Sequence, residues 1–134
     1  MIRTPDPAAI ARVATQLAAG KTPGRDDMAE AARAIVSALA AIHPGHTIEV
    51  RIPPFAAAQV GALDGEGPAH RRGTPPNVVE LAPETAVSLA VGDLSWDDAV
   101  STGLIRYSGA HAADVASMLP LEDRSLTNQA PVPQ

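Results

Sequence analysis

Between Gly73 and Leu121 the chain reads GTPPNVVELAPETAVSLAVGDLSWDDAVSTGLIRYSGAHAADVASMLPL, and glycines at 92, 103 and 109 divide it into short pieces. This punctuation constrains the fold more than any other feature, because each piece has room for one element and little else. The order it dictates is strand, short helix, short helix, strand, helix. The stretch contains no group of residues that could serve together as nucleophile, acid and base. So much order with so little chemistry points to a function that rests on a cavity rather than a reaction.

The local signals along this stretch are specific. Pro83 and Glu84 open a helix whose Ala86, Leu89 and Ala90 share a face, and Gly92 closes it. Ser95 and Asp98 have the spacing of a capping box, with Asp in place of the usual Glu. Trp96, Ala99 and Val100 form the buried side of that second helix, and Gly103 stops it. LIRYS reads as a strand ended by Gly109, after which Val115, Met118 and Leu119 mark one or two amphipathic turns.

Upstream, Asp6-Pro7 is a helix start, with Ile10, Val13, Ala14 and Leu17 at helical spacing and Gly20 at the end. The turn KTPGRDD leads to a second helix in which Met28, Ala32, Ile35, Leu39 and Ile42 make a seam, until His43-Pro44-Gly45 stops it. The period then changes from helical to twofold. In TIEVRI, Ile48, Val50 and Ile52 share one face and Thr47, Glu49 and Arg51 the other. Pro53-Pro54 interrupts, FAAAQVGAL resumes as a strand, DGEGPAHRRGTPP is a loop, and NVVEL is a third strand.

The element order is therefore αα–ββ–β–αα–β–α, which predicts an α+β domain on a small, mainly antiparallel sheet. Residues 1–46 form a helical pair packed on the same domain as the core, 47–121. The tail, 122–134, has too little apolar surface to offset its ordering entropy and is expected to be disordered. No internal repeat is present.

Apolar residues make up 46% of the chain, but the aromatics are only Phe55, Trp96 and Tyr107. Small and branched side chains must fill such a core, which suits either an internal apolar void or a tight alanine-rich interior. The net charge of −5 and the scarcity of stacking aromatics argue against nucleic acid. With no cysteine there can be no disulfide, thiolate metal site or cysteine nucleophile. The first residues lack the apolar run of a signal peptide, and no stretch approaches the ~18 apolar residues of a membrane span, so a cytoplasmic location is expected.

Candidate chemical sites are few, and each has a plainer reading. His43 and His46 are spaced like a metal pair, but zinc wants three or four converging ligands, and Pro44-Gly45 between them marks a turn. No metal site and no cofactor are expected. His70, Arg71 and Arg72 are the one basic cluster, either a solvated loop or a surface for an anion or partner. Asp97 and Asp98 are adjacent, so on a helix they diverge by about 100° and cannot face each other. Gly61, Gly65 and Gly67 are followed by no Lys-Ser/Thr pair and make no phosphate loop. Nothing resembles a nucleophile elbow, and no catalytic residue is assigned. Trp96 is either a core plug or a ligand contact.

The run VVELAPETAVSLAVGDLSWDDAVSTGLIRYSG resembles the C-terminal half of sterol carrier protein 2-type domains. The matching pieces are Val78-Val79-Glu80, Leu89 to Leu94, Trp96 to Ala99, and Gly103 to Gly109. RIPPFAAAQV and HRRGTPPNVVEL resemble more specifically the actinobacterial sterol carrier branch, so the likeness spans residues 47–121. It implies a twisted five-stranded sheet covered by helices and enclosing an apolar tunnel for fatty acids, acyl-CoA or sterols, without catalysis. Under that resemblance the pocket residues are Leu89, Leu94, Trp96, Val100, Val115, Met118 and Leu119, over a sheet floor of Ile105 and Tyr107.

Two other functions fit the same residues. One is a ligand-free accessory or interaction scaffold. The other is an accessory domain like the C-terminal domain of mycothiol-dependent maleylpyruvate isomerases, whose metal chemistry sits elsewhere. A void of ~300 Å³ or more favours ligand binding, and a filled core favours the scaffold. Oligomeric state is not written in the sequence.

Overall fold

The computed structural model describes residues 4–63 and 77–121. Helix α1 spans Ala8–Ala18 and α2 Arg25–Ile42; strands β1 (Ile48–Ile52), β2 (Ala56–Val60) and β3 (Asn77–Leu81) follow. Helices α3 (Pro83–Val91) and α4 (Trp96–Ser101), strand β4 (Ile105–Ser108) and a 3₁₀ segment, Ala112–Met118, complete the fold.

Local chemistry accounts for most of these boundaries. The Asp6 carboxylate accepts from the Ala8 amide at 3.0 Å, capping α1 across Pro7. Both short helices end in the same way. Gly92 (φ 85°) and Gly103 (φ 76°) are left-handed. After α3 the Gly92 and Asp93 amides return to the carbonyls of Leu89 and Ser88, and after α4 those of Gly103 and Leu104 return to Val100 and Ala99. That double return satisfies carbonyls a helix end would leave open, and only glycine adopts it without strain. At the start of α4, Ser95 Oγ accepts from the Asp98 amide at 3.1 Å. Replacing Ser95 with alanine is expected to cost about 1 kcal/mol in urea denaturation, while Ser95→Asp keeps the stability.

The closing segment is 3₁₀ rather than α-helical, and its residues show why. Ala112, Val115 and Met118 are all buried at a spacing of three, which aligns them in one row at three residues per turn. Leu119, one position on, is only partly buried. In α2 the expected seam holds at Met28, Ala32, Ile35 and Leu39 but not at Ile42, which is 48% exposed. Ile42 is the last residue of its helix, immediately before the His43 turn.

Among the described residues the sheet has four strands in the order β2-β1-β3-β4. It is mixed: β2 pairs with β1 and β4 with β3 antiparallel, whereas β1 and β3 run parallel. This modifies the mainly antiparallel expectation, and no fifth strand lies within the described residues. The reason is topological. Strand β2 folds back on one edge of β1, so β3 pairs with β1 on the other edge, and it does so parallel.

Register sorts the side chains by face. Ile48, Val50 and Ile52 align with Val60, Ala58 and Ala56 on one side and, for the first two, with Asn77 and Val79 on the other. This inner face packs with α2, α3 and the 3₁₀ segment into one core that also takes in Ala9, Ile10 and Val13 of α1. The opposite face carries Glu49, Arg51, Val78, Glu80, Arg106 and Ser108, all half-buried or exposed.

Two polar contacts stitch the layers. The buried Glu30 carboxylate on α2 accepts from the Asp6 amide at 2.6 Å, fixing the start of α1. Asn77, 3% exposed, donates through Nδ2 to the Thr47 carbonyl at 3.0 Å and accepts through Oδ1 from the His111 amide at 2.8 Å. A single side chain thereby joins the starts of β1 and β3 to the turn before the 3₁₀ segment. Arg12 reaches Asp6 and Asp27 at 3.4 and 3.5 Å, but these pairs are exposed and contribute under about 1 kcal/mol each.

Candidate functional site

Where the core layers meet there is an apolar gap. Ile35 and Leu39 reach it from α2, Val50 and Ile52 from β1, and Leu81 from β3. Ala86 of α3, Val115 of the 3₁₀ segment and Leu119 complete the lining. No polar side chain lines it, so nothing there could orient a reacting group. The gap measures about 10 Å³. That is the space of roughly one water-sized sphere, far below the ~300 Å³ of a small-molecule pocket. Among the described residues, this gap is too small to hold a ligand as it stands.

The residues assigned to a pocket from sequence fall into three groups. Val115 and Leu119 line the gap. Leu89, Ile105 and Met118 are buried core, at 1%, 7% and 5% exposure, but lie outside that lining. Leu94, Trp96 and Val100 are partly buried against the core, and Tyr107 is 46% exposed. Trp96 and Tyr107 instead meet each other, with ring centroids 5.9 Å apart and tilted by 54°. They form a corner beside the sheet edge.

Ile35, Leu39, Val50, Ile52, Leu81 and Ala86 were not singled out as pocket residues. The α2 seam and the twofold pattern of β1 mark four of them as buried. Their convergence on one point is a matter of packing, which periodicity does not carry.

Two larger hollows are open and polar. One, about 360 Å³, lies over the outer sheet face between Arg51, Glu80, Arg106 and Ser108. The other, about 330 Å³, lies between the first turns of α2 and Phe55, whose ring Arg25 covers at 5.0 Å. Arg51 on the outer face is held above its usual pKa, first by its hydrogen bond to Glu49 at 2.6 Å and then by that carboxylate's charge. Neither hollow offers an apolar chain a dry surface.

His43 ends α2, and its carbonyl accepts from the Gly61 amide at 2.8 Å, while His46 Nδ1 sits 2.9 Å from Gln59 Oε1. Among the described residues no three His, Cys, Asp or Glu side chains are placed to hold a metal. None of the described helices is long and apolar enough to cross a membrane. His70, Arg71 and Arg72, like residues 122–134, lie outside the described residues.

A family model described as "Bacterial SCP ortholog", for sterol carrier protein, matches residues 24–121. The match begins at the residue before α2 and contains every residue lining the gap. A search of curated proteins finds no match.

Proposed function

This chain belongs to the bacterial sterol carrier protein ortholog family, and from that premise we propose that it carries a hydrophobic ligand, a fatty acid, acyl-CoA or sterol-like lipid, without catalysing a reaction. The reading places the ligand where the gap now is and takes the cytoplasm as its setting. The observation that carries it is the wholly aliphatic lining at the meeting point of α2, the sheet, α3 and the 3₁₀ segment.

A ligand must open this interior, and magnitudes indicate where. Displacing Val115 forfeits burial worth about 1.5–3 kcal/mol, and the partly buried Leu119 forfeits less. An acyl chain that buries about ten methylenes returns about 8 kcal/mol at 0.8 kcal/mol each. Opening at the 3₁₀ segment is therefore affordable, the more so because 3₁₀ hydrogen bonds have poorer geometry than α-helical ones. Separating α2 from the sheet would disrupt Ile35, Leu39 and the β2 contacts together.

The smallness of that gap favours a second reading, a ligand-free scaffold of the same fold or an accessory domain like the C-terminal domain of mycothiol-dependent maleylpyruvate isomerases. One experiment separates the two. Native mass spectrometry with lipid extraction is expected to show one acyl or sterol species per chain that rebinds after delipidation. At a hundredfold excess over Kd such a ligand adds about 2.7 kcal/mol, a Tm rise of roughly 10 °C. An apo mass with no thermal shift across fatty acids, acyl-CoAs and sterols would leave the scaffold.

A further inference from the structure

We infer that the free edge of β4 is a strand-addition site for an extended peptide whose side chains alternate between apolar and acidic. The inference is independent of the lipid reading. Strand β4 ends the sheet order, paired to β3 on one side only. Outside that ladder, none of the backbone groups of Ile105 to Ser108 finds a hydrogen-bond partner among the described residues. An open row of amides and carbonyls is a template for another strand unless proline, lysine or a bulge blocks it. Sequence Ile-Arg-Tyr-Ser has none of these.

The side chains on either face define what would fit. Tyr107 aligns with the buried Val79 on the inner face, yet is 46% exposed, and among the described residues no strand lies beyond it. Together with Trp96 it presents an aromatic surface beside the edge. Arg106 lies on the outer face, exposed and in no ion pair among the described residues, although Glu80 is its register neighbour. The open groove of about 360 Å³ runs over Arg106, Ser108 and Glu80.

A strand added beside β4 places successive side chains on alternate faces. An apolar residue then meets Tyr107 and Trp96, and the next, if acidic, meets Arg106. Main-chain hydrogen bonds supply affinity and the alternation supplies specificity. A second copy of the chain fits less well. Antiparallel self-pairing centred on β4 puts the two Arg106 guanidiniums directly opposite or diagonal on one face, and such like charges repel.

The probe is a short synthetic peptide of alternating valine and glutamate, titrated into the full chain and followed by Trp96, the one tryptophan. Saturable change in Trp96 emission is expected, with slowed amide exchange confined to β4. A valine–lysine peptide is expected to bind about fivefold more weakly, and Arg106→Glu to reverse that preference. A valine–glutamate peptide N-methylated on alternate residues, to block one edge, is expected to lose binding. Circular dichroism of Arg106→Glu checks that this exposed substitution leaves the fold intact.

Absence of a saturable change, equal binding of the N-methylated peptide, or protection elsewhere than β4 would overturn the proposal. So would sedimentation showing a dimer that the charge-removing Arg106→Ala strengthens, since that assigns the edge to a second copy.

Discussion

Replacing Leu39 with alanine is expected to cost the fold about 3 kcal/mol and, at the same time, to tighten lipid binding. The first effect is ordinary. Leu39 is 1% exposed, and truncating a buried leucine forfeits its transfer energy and leaves a cavity, for a total of about 2–5 kcal/mol. The second follows from where the cavity forms. Leu39 lines the gap of about 10 Å³, so the lost volume joins space that a ligand must otherwise create. An interior already partly open lowers the cost of capture, and affinity rises by the cost removed.

Ile10 supplies the control. It is equally buried, at 1% exposure, but sits on α1 and does not line the gap. Ile10→Ala is expected to destabilise by a similar amount with no gain in binding. Urea denaturation measures the first quantity and partitioning of a fluorescent fatty acid the second. If Leu39→Ala loses the uptake that the native chain has, the ligand does not occupy this gap.

The other large effect is expected at Asn77. Asn77→Ala removes the donor to the Thr47 carbonyl and the acceptor for the His111 amide in one step. Losing buried polar partners costs about 1–3 kcal/mol apiece, so a total of about 3 kcal/mol is expected, reduced where water reaches His111. Ser108→Ala, an exposed change on the neighbouring strand, is expected to stay within about 0.5 kcal/mol. Because His111 precedes the 3₁₀ segment, the loss should also be local. Amide exchange from His111 to Met118 is expected to accelerate more than exchange in α2. Uniform acceleration across the chain would mean that Asn77 stabilises the fold without anchoring that segment. If the segment is the ligand's gate, Asn77→Ala also shortens the residence time of a bound lipid.

Much of this architecture was legible residue by residue. The twofold pattern of Ile48, Val50 and Ile52, the seam through Met28, Ala32, Ile35 and Leu39, and the buried Ala99 of α4 appear where periodicity places them. The glycine stops at 92 and 103 and the Ser95 cap are equally local, since each depends on hydrogen bonds within a few residues. The candidate site was less legible. Val115 and Leu119 line the gap, but Trp96 and Tyr107 do not. A large aromatic beside a small-residue helix looks the same in sequence whether it faces a cavity or stands at a sheet edge.

By itself, then, the sequence determined the elements, their ends, their buried faces and the family to which residues 24–121 belong. These are set by backbone sterics, capping and side-chain period, all of which act over a few residues. Only the tertiary structure decided that β3 lies parallel to β1, that β4 ends the sheet among the described residues, and that the apolar gap between the layers measures about 10 Å³. Those outcomes depend on which buried faces meet and how closely their side chains interlock. Such contacts join residues far apart in the chain, as at Ile35, Ile52 and Val115, and no local pattern encodes the distance between them.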